Sequence, residues 1–277
     1  MNLVEVAQET LAITRQGEYL SKNGIHIHIA PDIGESIAGT RLYTPEHLAG
    51  LLGTRQEKSG VSGPPAVEIT PETTAIAARR LYEAGMTGGV ALNFASAKNP
   101  GGGFLTGAKS QEEDLARCSA LYECLLPQTG YYEANRAYGS MLYTDYMIYS
   151  PGVPFFRDER LNLLDRPFLP AIITAPAPNA GEFLRREPDK EKEIEVTLKR
   201  RAGMVLCLAA EQGHRTLVLG AWGCGVFRNN PAQVARAFAE WLSHPGFAGA
   251  FDLVVFGIYE REANRPFLET FKRELAG

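Results

Sequence analysis

The stretch G-G-V-A-L-N-F-A-S-A-K-N-P-G-G-G-F-L-T-G-A-K-S-Q-E-E-D, Gly88 to Asp114, sets the architecture of this chain. Its first seven residues are almost continuously apolar, as a strand buried on both faces requires. Its end, from Ser110, matches the S-x-x-E signature of a helix start. Between them stand Gly101, Gly102 and Gly103, which tolerate φ > 0 and leave no Cβ in the way of a ligand. The unit is therefore strand, glycine loop, helix. Glu112 and Glu113 fall in the first turn of that helix, and paired carboxylates are the usual groups for working on a glycosidic bond. Taken singly, the glycines read as a tight turn and S-Q-E-E as a plain cap.

A second unit of the same kind lies further on. Thr216 to Leu219 reads as a strand, and G-A-W-G-C-G-V-F-R-N-N, Gly220 to Asn230, leads to a helix opening at Pro231. Open α/β sheets bind ligands at the carboxyl ends of their strands, where such loops converge. Free backbone N–H groups beside a helix N-terminus suit an anion, so two such loops suggest a ligand the size of a diphosphate.

The rest of the chain reads as strands alternating with helices. Strands are expected at Ala66 to Ile69, Met147 to Tyr149, Ala171 to Ala175 and Leu253 to Ile258. Thr70 is expected to cap a helix running to Gly85, and the helix from Ser110 to continue to about Leu126. A charged run from Glu187 opens a long helix that turns apolar by Met204. This is an α/β pattern around a largely buried sheet. Ahead of it come an amphipathic helix to about Gln16, a short strand in G-I-H-I-H-I, and a helix with Thr44 as N-cap and Pro45 at its first position. The polar stretch Arg55 to Pro65 is the expected boundary, dividing residues 1–62 from 63–277.

Composition narrows the function classes. With Lys+Arg 28 against Asp+Glu 32, the net charge of -4 argues against a broad basic surface and sequence-specific nucleic-acid binding. Glu5 and Glu9 break the apolar N-terminus, unlike a signal peptide, and no apolar run is membrane-spanning, so a soluble, cytoplasmic protein is expected. The four cysteines form no C-x-x-C pair and share no zinc spacing with the five histidines. His26 and His28 lie on one side of their strand, which a metal site can use, but no third ligand stands near them in sequence. They read as a solvated strand face, and neither metal nor cofactor is expected. Cys224, between two glycines, offers a thiol-nucleophile reading with His214, set against the commoner fate of a small buried cysteine. A Rossmann dehydrogenase is disfavoured because no G-x-G-x-x-G follows the first strands.

The segment A-L-N-F-A-S-A-K-N-P-G-G-G-F-L-T-G-A-K-S-Q-E-E resembles the glycine-triplet plus Gln-Glu-Glu motif of poly(ADP-ribose) glycohydrolases of the compact bacterial type. A-G-T-R-L-Y-T-P-E, P-E-T-T, G-A-W-G-C-G-V-F-R-N-N-P and F-G-I-Y-E-R resemble further blocks of that group, so the likeness covers most of the chain. Ordinary ADP-ribose-binding macro domains share the glycine loop but not the paired glutamates. The resemblance implies a macro-domain-like three-layer fold, a mixed central sheet between helices, with a helical N-terminal extension over residues 1–62 packed on a catalytic domain over 63–277. It implies hydrolysis of ribose-ribose O-glycosidic bonds of poly(ADP-ribose), mainly from chain ends, by a monomer acting on polymer and on poly(ADP-ribosyl)ated proteins. A non-catalytic ADP-ribose reader, whose Gln-Glu-Glu only caps a helix, is the alternative.

Carried over residue by residue, Glu113 takes the place of the catalytic acid, Glu112 that of the carboxylate holding ribose hydroxyls, and Gln111 supports both. Gly101, Gly102 and Gly103 match the loop at the distal ribose and phosphate; Gly223, Gly225, Val226 and Phe227 match the diphosphate loop. Many macro domains place a ribose-binding Asn shortly before the triplet, whereas this chain offers Ser96 or Asn99. Tyr259 is a candidate for stacking on adenine or its ribose, and Glu68 for its amine. Phe227 reads either as a core anchor or as a wall that favours cutting at polymer ends. Because a helix N-terminus favours carboxylate, an acid at Glu113 works against the dipole of its own helix.

Overall fold

Residues 2–58, 60, 63–261 and 264–275 are described by the computed structural model. Among the described residues, eleven strands and eleven α-helices follow one another: α1 Leu3–Gln16, β1 Glu18–Leu20, β2 His26–His28, α2 Ala30–Gly39, β3 Arg41–Tyr43, α3 Pro45–Glu57, β4 Ala66–Thr70, α4 Thr74–Glu83, β5 Val90–Phe94, α5 Gln111–Cys118, α6 Leu121–Leu125, α7 Thr129–Ala137, β6 Met147–Ser150, β7 Phe155–Arg157, β8 Leu163–Phe168, β9 Ala171–Ala175, α8 Ala180–Arg186, α9 Glu191–Glu211, β10 Thr216–Gly220, α10 Pro231–Leu242, β11 Leu253–Gly257 and α11 Pro266–Leu275. Seven strands form one mixed sheet in the order β3-β6-β9-β5-β10-β11-β4. Its five strands from β9 to β4 run parallel, while at the other side β6 runs antiparallel to β9 and the edge strand β3 antiparallel to β6.

The two-residue period of a strand divides this sheet's side chains between two cores. Val90, Leu92, Ile173, Leu217, Leu219, Val254 and Phe256 enter a core shared with α3, α9, α10 and α11. Their neighbours Ala91, Ile172, Val218 and Val255 enter the other, shared with α4, α5, α6 and α7. Helices therefore cover both faces, which is why the central strands read as unbroken apolar runs.

Several expected boundaries shift for local reasons. Thr70 stays in β4 as its last residue, and Thr73 caps α4 by accepting the Ile76 N–H at 3.3 Å. The helix expected to run from Ser110 to Leu126 breaks at Ser119, whose extended backbone (φ -147°, ψ 179°) bridges to Phe155. The Ser119 hydroxyl then accepts the Leu121 N–H at 3.1 Å and starts α6. The boundary expected at 62/63 touches Ser62, outside the described residues. On its N-terminal side, β3 pairs with β6 in the central sheet and α3 supplies Leu48 and Leu52 to the core.

The N-terminal segment supports the first glycine loop from outside. Ala7 of α1 packs with Phe104 and Ala116, and Thr10 donates to the Arg117 carbonyl at 2.7 Å. Arg157 closes the same contact by pairing with Glu9 at 2.7 Å.

Candidate active site

The register places both glycine loops at the carboxyl ends of the central parallel strands. Phe94, the last residue of β5, is level with Ala175 of β9, and Gly220 of β10 is level with Gly257 of β11. Since β5 and β10 are parallel neighbours, the chain leaves them side by side.

In the first loop, Gly101 and Gly102 adopt φ of 64° and 58°, a region disfavoured for other residues. Close approach reinforces the need for glycine. A Cβ on Gly101 would sit 3.0 Å from the Phe104 ring, and one on Gly102 would run into the Glu113 carboxylate and lie 3.1 Å from Glu112 Oε2. Both carboxylates thus face Gly102.

Glu113, 9% exposed, accepts the Gly103 N–H on Oε1 and the Ser110 N–H on Oε2, both at 2.9 Å. The second bond belongs to the expected capping box. The first binds the helix start to the glycine loop, so one side chain serves as cap and as clamp. Glu112, 2% exposed, accepts the Ser96 N–H at 2.6 Å and the Asn93 amide at 3.2 Å. Burial pushes its carboxyl up to about 8; the Ser96 N–H and Asn93 amide pull the other way, and the Glu113 charge adds to the rise.

Gln111 ties neighbouring elements together. Its carbonyl accepts the Phe94 N–H at 2.8 Å, while its amide donates to Leu92 O at 2.8 Å and Thr74 Oγ1 at 3.1 Å, fastening α5 to β5 and α4. The Ser96 hydroxyl accepts the N–H groups of Lys98 and Asn99, turning the loop, and Asn99 is exposed with its carbonyl accepting the Gly102 N–H at 3.1 Å.

In the second loop, Gly223 has φ 71°, and a Cβ there would collide with the Asn229 amide. Asn229 donates to Pro178 O at 2.8 Å and to Gly223 O at 3.2 Å, closing the loop on itself. Val226 is 77% exposed at its tip. Phe227 is half-buried, with its ring 6.0 Å from that of Tyr143, so it anchors the loop and still presents an edge to solvent. Tyr259 is exposed just past β11. Glu68 on β4 is held by Arg80 at 3.0 Å, and Arg80 also grips Glu72.

Asn93 escaped the reading of the sequence, although its signal was there: one amide inside an apolar strand. It is fully buried and bridges Glu112 to Thr174. The thiol reading of Cys224 fails. Cys224 is buried, burial raises its thiol strongly, and His214 precedes β10 while Cys224 follows it, about 16 Å away along five residues of strand. His214 is engaged there with Tyr149 and the Gly88 carbonyl. His26 and His28, by contrast, do have a third potential ligand, Glu18, brought beside them by the β1–β2 pairing.

Two buried carboxyls at the start of α5 stand against a strand-end glycine loop, beside a second glycine loop at the same end of the strands, and paired carboxyls are the groups that acid–base work on a glycosidic bond uses. Residues 7–158 match the model of the microbial-type poly(ADP-ribose) glycohydrolase catalytic domain. The poly(ADP-ribose) glycohydrolase of Thermomonospora curvata, in a structure with the inhibitor ADP-HPD, is 44% identical over 98% of both chains, with a TM-score of 0.90. That of Deinococcus radiodurans, in complex with ADP-ribose, is 48% identical over 89% of this chain and 97% of its own, with a TM-score of 0.82. No curated protein sequence gives a significant match. The chain belongs to the microbial-type poly(ADP-ribose) glycohydrolases, glycosidases that hydrolyse poly(ADP-ribose) on a macro-domain-like fold. The non-catalytic reader is thereby set aside.

Proposed function

We propose that Glu113 is the general acid and base of this hydrolysis and that Glu112 grips the ribose hydroxyls beside the scissile bond. The proton of Glu113 passes to the departing ribose oxygen as the C–O bond breaks and an oxocarbenium-like centre develops on the other ribose. Water then attacks that centre and returns a proton to the Glu113 carboxylate. Gly101, Gly102 and Gly103 lie along the distal ribose and its phosphate, with Ser96 and Asn99 at the rim of the loop. Gly223, Gly225, Val226 and Phe227 take the diphosphate, Tyr259 stacks on adenine or its ribose, and Glu68 accepts from the adenine amine. Phe227 walls off the far side, so ADP-ribose is released chiefly from chain ends.

The observation that carries this reading is the placement of both carboxyls against the Gly102 backbone. The inhibitor and ADP-ribose held by the two relatives fit a site of this kind. No described helix is long and apolar enough to cross a membrane. We further read the protein as a cytoplasmic monomer that acts on polymer attached to proteins, with residues 1–62 as a cover over the catalytic domain.

Glu113→Gln tests the acid. A glutamine amide accepts only one of the two N–H groups that Glu113 now holds, so ADP-ribose affinity, followed by calorimetry, should fall severalfold. Turnover of labelled poly(ADP-ribose) should fall at least ~100-fold, the low end for a general acid–base group. A turnover loss no larger than the affinity loss overturns the assignment.

A further inference from the structure

Away from the catalytic site, the β1–β2 hairpin gathers three side chains of metal-ligating type. Its antiparallel register sets Glu18 opposite His28 and Leu20 opposite His26, so the strand period brings Glu18, His26 and His28 to one face. The other face is anchored: Tyr19 is buried and donates to the Leu164 carbonyl at 2.8 Å. The open end of the hairpin is tied as well, because the Gly17 carbonyl accepts the N–H groups of Ile29 at 2.7 Å and Ala30 at 2.9 Å. The backbone under the three side chains is fixed before any ligand arrives.

Their spacing suits a small cation. Glu18 Oε2 is 3.0 Å from His28 Nδ1, Glu18 Oε1 is 3.6 Å from His26 Nε2, and His26 Nδ1 is 3.1 Å from His28 Nε2. One ligand atom from each residue lies within 4.8 Å of the other two. Tetrahedral zinc, with bonds of about 2.0–2.1 Å, holds its ligand atoms about 3.4 Å apart. Turning exposed imidazoles about their side-chain bonds closes that difference without moving the backbone.

We propose that Glu18, His26 and His28 form a binding site for a divalent transition-metal ion, zinc being the type, with a remaining position open to solvent. Two imidazoles and one carboxylate favour zinc, nickel or copper over magnesium and calcium, which prefer all-oxygen sites. The ion would fasten β1 to β2 between the end of α1 and the start of α2, outside the glycosidic chemistry.

Full-length protein without an affinity tag, stripped by a chelator, would be titrated with zinc against a chromophoric competitor. One equivalent is expected at micromolar affinity, with no comparable binding of magnesium. His26→Ala and Glu18→Ala should each weaken binding at least about tenfold, the scale seen even for the groups that merely support metal ligands. The double variant His26→Ala/His28→Ala should abolish it. His47, His214, His244 and the four buried cysteines remain in every variant, so the loss reports the hairpin alone. Zinc affinity unchanged in the double variant, or a wild-type protein that takes up no equivalent, overturns the proposal. If the double variant loses its thermal unfolding transition, the single substitution at half-buried Glu18, Glu18→Ala, decides on the same criterion.

Discussion

Replacing Gly102 by alanine tests whether the glycine loop and the carboxyl pair are one device. Two costs are separable in the structure. The first is conformational: Gly102 has φ 58°, which costs a non-glycine residue about 1–2 kcal/mol. The second is spatial, because the new methyl would lie 3.0 Å from Glu113 Cδ and nearer still to Oε1. To escape it, the Glu113 carboxylate must loosen its bonds to the N–H groups of Gly103 and Ser110, both now 2.9 Å. A hydrogen bond to a charged group contributes about 1.5–3 kcal/mol, so partial loss of the two adds about 2 kcal/mol. Gly102→Ala should therefore be destabilised by about 3 kcal/mol in urea unfolding. Turnover of poly(ADP-ribose) should fall about 100-fold, the scale of a ~1 Å misplacement of a catalytic group. Gly213→Ala is the control: its φ is 76°, but nothing lies within 4 Å of the added Cβ. It should lose only the conformational part, about 1 kcal/mol, and keep wild-type turnover. If the two variants are equally stable and equally active, the link between loop and carboxyl pair is wrong.

Three further outcomes follow from the same geometry. Glu112 is raised to about 8 when folded, so its contribution to stability is full below its unfolded pKa and is lost as pH rises through about 8. Wild-type stability should fall by up to about 1.4 kcal/mol per pH unit between pH ~5 and ~8, and urea midpoints of Glu112→Gln should lack that slope. Burial alone would raise Asp145, but the guanidinium groups of Arg201 and Arg200 outweigh it and hold the carboxyl below its usual range. Asp145→Asn strands the fully buried Arg201 and should cost about 3 kcal/mol at pH 7, a deficit that narrows in acid as wild-type Asp145 protonates. Phe227→Ala removes the proposed wall, and sizing early products should then show internal cuts; free ADP-ribose as the sole early product would refute the wall.

The parts of the fold set by local rules were legible in the sequence. The buried strands β5, β9, β10 and β11 declared themselves by composition, and S-Q-E-E marked the start of α5. Elements that depend on distant partners did not. Pro167 and the charged pair Asp165-Arg166 disguise β8, which exists because β7 pairs with it; β3 is three residues that become a strand only against β6. The same division runs through the site. Its carboxyls and glycines could be named in advance, whereas Asn93 as a support for Glu112, and Glu18 beside two histidines, required the register of strands. That burial raises the carboxyl of Glu112 was not legible either, since Glu112 points into the protein and draws its partners from β5 and the loop after it.

The double engagement of Glu113 has an evolutionary side. Its two oxygens hold the start of α5 and the glycine loop together, so a chance replacement there disturbs architecture and chemistry in a single step. A lineage drifting from cleaving the polymer toward merely recognising it could not discard this carboxylate first. It would have to acquire another anchor for Gly103 and Ser110 beforehand, and the order of those two changes is a trace that sequences of intermediate members should retain.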